Sequence, residues 1–184
     1  DYPTDPGCSS DADNDETDVI PLPDLSAVNT SPVNGANLVN PASITFSGTA
    51  SNSTSATPAL TNFWADVEID WNQGNCAVAT PESVSNAGGA WQGVTSTWSS
   101  AISATYTAAN SSLQNGTHCY RMIIDRDNFI SESNEGNNGA TPWRSFTISG
   151  LPQCSDGIDN DSDSKTDYPT DPGCSSDADN DETD

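Results

Sequence analysis

Residues 63–71 read FWADVEIDW, and apolar and acidic side chains alternate through the stretch. Ala65, Val67, Ile69 and Trp71 fall on one face, and Asp66, Glu68 and Asp70 on the other. A period of two belongs to a β-strand, whose successive side chains point to opposite faces of the sheet. Residues 118–125, HCYRMIID, carry the same pattern, with Tyr120, Met122 and Ile124 as the inward set. If the two strands run antiparallel with Val67 opposite Met122, the apolar sets share a face and Glu68 falls opposite Arg121 on the wet side. Cys76, just past the first strand, then meets Cys119 at the start of the second. One register accounts for a core, a charge pair and a Cys76–Cys119 disulfide.

Outward from this pair the pattern repeats. From Leu22 to Ile148 short alternating runs are broken by turn residues about every 10 positions, and no stretch carries apolar residues at helical spacing. SITFSGTASN (43–52), STWSSAISATYTA (96–108) and WRSFTIS (143–149) are further strands. PVNGAN, WNQGN, NAGG and LQNGT are turns, with Asn or Gly where a positive φ is needed. The class predicted is all-β, a sandwich.

LPDL (22–25), FSGTASN, FWADVEIDWN, LQNGTHCYRMIID and NFISESNEGNN (128–138) together resemble the bacterial CARDB family of cell-adhesion-related domains. In the closing motif of that pattern, Asp125, Glu132, Asn134, Glu135, Asn137 and Asn138 take the characteristic places. The resemblance covers about residues 22–149 and implies an immunoglobulin-like sandwich of about seven strands. The Cys76–Cys119 pair and the long NAGGAWQGVTSTW region depart from the family pattern.

The chain carries a long repeat. DYPTDPGCSSDADNDETD occurs at 1–18 and again, unchanged, at 167–184, an offset of 166 residues. We read residues 1–18 as the end of one linker, 19–150 as the sandwich and 151–184 as the next linker. The formal charge of -23 is uneven: Cys154 to Asp184 holds eleven acidic groups and one Lys, against nine acidic groups and three Arg between Val19 and Gln153. Such a chain repels nucleic acid and anionic membrane, which require Lys and Arg. No apolar run approaches the roughly 20 residues of a membrane span.

Five Cys become intelligible through the repeat, since Cys8 is the copy of Cys174. The expected pairs are Cys76–Cys119 and Cys154–Cys174, leaving Cys8 for the counterpart of Cys154 in a preceding unit. Paired thiols in a Ser-, Thr-, Asn- and Gly-rich chain indicate an oxidising, extracellular or cell-surface setting. Asn29, Asn52, Asn110 and Asn115 are sequons, at a frequency that this composition also produces by chance.

The linker reads as a calcium device. CSDGIDNDSDSKTDYPTDPGC places Asp159, Asp161, Asp163 and Asp167 at positions 1, 3, 5 and 9 of an EF-hand-like loop, with the Lys165 carbonyl at 7. Alternate spacing aims every second carboxylate at one centre, as a hard cation of six to eight oxygen ligands requires. Position 12 is Thr170 where an EF-hand has Glu, so Asp171 or Asp156 is expected to complete the shell, and Ser164 replaces the usual Gly. With these departures DGIDNDSD resembles the thrombospondin type 3 repeat, which implies chain wrapped around successive calcium ions and tied by a disulfide. Asp177, Asp179 and Asp181 form a second set, copied at Asp11, Asp13 and Asp15; Asp5 and Asp171 are expected to bridge neighbouring ions, and in the opening copy Glu16, Asp18 and Asp24 are available to close the site against the sandwich. Two or more calcium ions per linker are expected. The alternative, a solvated acidic tether, gives no reason for Asp at every second position. Carboxylate pairs repel by about 1 to 4 kcal/mol, and calcium at 100 times its dissociation constant returns about 2.7 kcal/mol per site.

Other constellations point away from catalysis. His118 is the single His and belongs to a strand start. Asp66, Glu68 and Asp70 have the spacing of a solvent face rather than of a glycosidase pair. Trp64, Trp91, Trp98 and Trp143 serve either packing or a sugar-stacking platform. Asp125, Asp127, Glu132 and Glu135 form either a further calcium site or a hydrogen-bonded turn. No catalytic residue is predicted. The expected function is a structural unit of an extracellular fibre or adhesin, repeating head to tail with copies of itself. The alternatives are a carbohydrate-binding or adhesive module with glycan ligands, and an accessory repeat of a large secreted hydrolase.

Overall fold

A computed structural model of the chain describes residues 22–54, 63–71, 74–91, 97–107 and 113–184. Among the described residues there are eight strands, one more than the family pattern implies: β1 Leu25–Ser31, β2 Ala36–Val39, β3 Ser43–Asn52, β4 Phe63–Asp70, β5 Ser83–Trp91, β6 Trp98–Thr107, β7 Gly116–Ile124 and β8 Arg144–Ser149. They form two sheets, in the orders β1-β3-β6 and β2-β8-β7-β4-β5. The only helical elements among the described residues are short 3-10 turns, at Cys76–Val78 and Gln153–Ser155.

β4 and β7 are antiparallel in the register that the alternation dictates, with Val67 opposite Met122, Glu68 opposite Arg121 and Asp70 opposite Cys119. Val67, Ile69, Tyr120, Met122 and Ile124 are fully buried. The Cys76–Cys119 disulfide is formed, with Cα atoms 5.5 Å apart. Across the sandwich Phe46 of β3 meets Tyr120 at 4.9 Å and Phe146 at 5.4 Å between ring centroids, both tilted or edge-on as ring quadrupoles prefer. Buried apolar area of this kind is the main favourable term in holding the sheets together.

Three strand-level expectations are corrected. The acidic face of β4 is not wet: Glu68 is 2 % exposed and Asp70 4 %. Glu68 is buried because Arg121 and Arg126 close over it at 2.7 and 3.1 Å, while the Arg121 guanidinium lies under the Trp143 ring. Burial also holds the Asp66 carboxyl above the usual carboxylate range. Secondly, Asn86–Gly89 is no turn but the middle of β5. Ala65 pairs with Gly88 and Asp66 with Asn86, so the register slips there, and glycine at such a slip marks a bulge in an edge strand. Thirdly, β1 and β2 are strands that the alternation does not announce; β2 is short and runs parallel to β8.

The chain enters and leaves the sandwich at opposite ends. It enters at Leu25, whose N–H is held by Glu132, while the Pro23 carbonyl accepts from Ser133 N at 2.8 Å. The loop carrying Glu132 and Ser133 comes after the C-terminal end of β7, where Asn138 O accepts from Ile124 N. The chain leaves β8 at Ser149, beside Gly116 at the other end of β7, where Gly116 pairs with Ile148. β7 is nine residues long, so a strand rise separates the two ends by about 27 Å.

Candidate metal centre

Beyond β8 the chain turns through Gly150 at φ 76° and winds into a compact knot closed by Cys154–Cys174, Cα atoms 5.7 Å apart. Its backbone order comes from the Asp residues. Asp159 accepts from Ser162 N (2.7 Å) and Ser164 N (3.0 Å), Asp161 from Asp163 N (3.1 Å) and Asp163 from Lys165 N (2.7 Å). Short Asp side chains prefer such local bonds to regular secondary structure. Ser162 and Ser164 lie at φ 70° and 74°, so the left-handed turn at the position of the EF-hand Gly is made by Ser164.

The result is convergence. Oxygens of Asp159, Asp161 and Asp163 lie within 4.8 Å of one another. The Asp161 carboxyl is pushed up by desolvation and by the charges of Asp163, Asp171 and Asp159, whereas Asp163 is held down by its hydrogen bond to Lys165. The Lys165 ammonium sits 2.7 Å from Asp163 and 3.9 Å from Asp184.

The remaining predicted ligands occupy other stations. Asp167 turns its carboxylate to Asp156 N (3.1 Å) and Gly157 N (3.0 Å), and desolvation raises it. Asp156 is buried and bound by Ile158 N (2.9 Å) and Asn115 Nδ2 (3.0 Å). Asp171 is 2 % exposed; Oδ1 accepts from Gly173 N at 2.7 Å, and Oδ2 is buried without a hydrogen-bond partner. Asp179 is engaged by Ser175, Asp181 bonds Thr183 N, and Asp177 is exposed. Asp24 is at the other end of the sandwich, bound by Ser53 and Asn137. Asp5, Asp11, Asp13, Asp15, Asp18 and Cys8 lie outside the described residues.

Glu182, the copy of Glu16, is a buried residue of the knot that the alternate Asp spacing does not single out. It is 1 % exposed, lies 3.9 Å from Cys174 Sγ, and accepts from Asn160 N (2.7 Å) and Asp167 N (3.1 Å). It thereby joins the two halves of the knot. The available signal is a single Glu among the Asp of 177–184, long enough to reach across. Cys154, Cys174 and Glu182 also cluster, but sulfurs joined in a disulfide cannot ligate.

Four further groups of residues singled out by the sequence take the following places. Asp125 accepts from Phe129 N and Ile130 N, and Glu132 from Leu25 N and Asn138 Nδ2, so this segment is a hydrogen-bonded turn. His118 is buried, bonded through Nε2 to the Gln114 carbonyl at 2.8 Å, and burial lowers its pKa. Trp64 is exposed while Trp98 packs against the core; the side chain of Trp91 lies outside the described set. Among the sequons, Asn29 and Asn52 are buried with Oδ1 accepting from Met122 N and Asp24 N, and Asn115 is bonded to Leu151 and Asp156. Asn110 lies outside the described residues.

An all-β, two-sheet sandwich with an acidic, metal-competent appendage defines the class. The family model for CARDB matches residues 22–142. The chain therefore belongs to the CARDB family and carries its adhesion-related module. Among solved structures it is similar to a CARDB domain from Pyrococcus furiosus in complex with di-metal ions, at 14 % identity and TM-score 0.45, covering 72 % of this chain and 99 % of that one. A solution structure of the CARDB domain of the same archaeal protein gives 15 % identity, TM-score 0.47 and coverages of 71 % and 98 %. A β-glucosidase from Listeria innocua gives 10 %, 0.41, and coverages of 77 % and 19 %. Among curated proteins the chain has no match.

Proposed function

We propose that the chain is a repeating unit of an extracellular fibre or adhesin, in which sandwiches are joined head to tail by disulfide-tied linkers stiffened with calcium. Its role is mechanical rather than catalytic. The observation that carries this reading is positional: the chain enters the sandwich at one end and leaves through the acidic knot at the other, and the same 18-residue passage flanks both. A passage shared by both flanks is a joint between units.

The cation follows from charge and burial. Asp156, Asp171 and Glu182 are buried, while the ion pairs of the knot, among the described residues, bring Lys165 to Asp163 and Asp184. Buried carboxylates are tolerated when paired or metal-bound. The all-oxygen set of Asp159, Asp161 and Asp163, with the unpartnered oxygen of Asp171 in the same knot, fits a hard divalent cation rather than zinc. Calcium would supply charge neutralisation there. Paired disulfides support the extracellular setting.

Calcium added to metal-free protein is expected to stabilise the linker by about 2.7 kcal/mol per site at 100 times the dissociation constant, and so to raise its melting temperature. Calorimetry with and without chelator checks this. A knot that melts identically in both, with no heat of binding, would sink the calcium joint.

A further inference from the structure

A sandwich has to protect the edges of its sheets, because an edge strand offers unpaired N–H and C=O groups to any other strand. Among the described residues the two sheets have four edge strands, β1, β6, β2 and β5, and three of them are blunted. β2 is four residues long. β5 is bulged, its register against β4 slipping between Phe63 and Ala65 and again between Ala65 and Asp66. β1 slips against β3 between Asn29 and Ser31, and Arg144 Nη1 donates to the Thr30 carbonyl at 2.9 Å.

β6 has none of these devices. It pairs with β3 without a slip, from Ser43 opposite Thr107 to Asn52 opposite Trp98, and its other side has no strand partner among the described residues. Its sequence, WSSAISATYT, contains no Pro and no charged residue, and its neighbour β3, SITFSGTASN, contains none either. Only alternate residues of an antiparallel strand bond to a given neighbour, so about half of the β6 N–H and C=O groups point away from β3. The side chains on the outer face, Ser99, Ala101, Ser103 and Thr105, are small and exposed.

We propose that β6 is an interface strand, whose open edge pairs antiparallel with β6 of a second copy of this chain across a two-fold axis. Charge selects that occupant. The chain has a formal charge of -23, so two copies repel over most of their surface. The edge strand of the other sheet on this flank, β5 (SVSNAGGAW), is uncharged as well, and its Ser85 Oγ donates to Tyr106 Oη of β6 at 2.7 Å. This flank is therefore where copies approach with least repulsion. A two-fold contact sets the strand against itself, and β6 is self-complementary: a register that keeps odd residues opposite odd residues places Ser99, Ala101, Ser103 and Thr105 against one another, and Ile102 and Ala104 likewise on the core side. The pairing joins units side by side rather than head to tail. It uses no residue of the metal centre, and because the strands are antiparallel, the paired units point in opposite directions.

Sedimentation velocity on the full chain, at concentrations up to about 1 mM, the weak end of association, tests this. An equilibrium between monomer and dimer is expected. Ser103→Lys and Ser103→Glu each bring like charges together near the two-fold axis and should weaken the dimer about tenfold. An equimolar mixture of the two variants should restore it, which a merely destabilised sandwich would not do. Circular dichroism checks that each variant is folded, and Ala101→Lys with Ala101→Glu replaces the pair if position 103 does not tolerate charge. Amide hydrogen exchange should slow at alternate residues of β6 as concentration rises. A chain that stays monomeric at the highest concentration, a dimer indifferent to charge at both positions, a mixture that fails to restore association, or protection appearing on β1, β2 or β5 instead, overturns the pairing. Calcium stabilisation of the linker, read by calorimetry on the same samples, stands or falls separately.

Discussion

Glu132 and Glu182 are the two buried carboxylates on which the ends of the molecule depend. Glu132 anchors Leu25 N and Asn138 Nδ2, and desolvation, outweighing those hydrogen bonds, pushes its pKa up to about 7. A folded pKa above the unfolded one means that the group's stabilising contribution is fully present below the unfolded value of 4.5 and fades as pH rises through about 7. Glu132→Gln is therefore expected to flatten this part of the profile: the melting temperature of wild type relative to the variant should fall between pH 5 and 8, measured in chelator. A constant difference would refute the assignment. Glu182 holds two backbone N–H donors, Asn160 N and Asp167 N. Glu182→Ala is expected to cost roughly 2 to 4 kcal/mol in the knot, because two donors lose their acceptor, and to speed hydrogen exchange at Asn160 and Asp167. Unchanged protection at both amides would count against its role.

The β1–β3–β6 sheet shows how one small residue sets the spacing between layers. A Cβ on Gly48 would meet the Val28 carbonyl oxygen at 2.3 Å and Met122 Cγ at 2.7 Å, so glycine there lets β3 lie against β1 while Met122 of the other sheet fills the space above. Gly48→Ala is expected to destabilise the sandwich by about 1 to 3 kcal/mol, the usual cost of overpacking, with denaturant midpoint as the readout. A neutral result would mean that the layers separate freely. The same scale shows what alternation reveals. β4 and β7 are legible because each carries a strict period of two and their register has to satisfy a core, a charge pair and two Cys at once. β5 is not, because Asn86, Gly88 and Gly89 carry turn chemistry locally, and only pairing with the neighbouring β4 makes them a bulged strand.

The joint between sandwich and knot decides whether the molecule behaves as one body. Asn115, at the turn before β7, accepts from Leu151 N through Oδ1 (3.2 Å) and donates to Asp156 Oδ2 (3.0 Å), and its own N–H bonds the Asp156 carbonyl at 2.9 Å. Gln114 covers Gly157 so closely that a Cβ there would meet its Cγ at 2.6 Å. Asn115→Ala is expected to leave the sandwich folded and to loosen the knot, seen as faster tumbling of residues 156–184 in NMR relaxation. Identical relaxation in both parts would show that the clamp is dispensable.

The sequence by itself determined the all-β class, the β4–β7 register, both disulfide pairs, the repeat and the alternate Asp that converge at 159–163. These are local or periodic signals, written in neighbouring residues. Only the tertiary structure decided that Glu68 and Asp70 are buried, that Asn29, Asn52 and Asn115 serve as internal hydrogen-bond partners, and that Glu182 joins the two halves of the knot. Each of those outcomes depends on which distant segment lies over a side chain. A polar residue reads the same in sequence whether water or another part of the chain covers it.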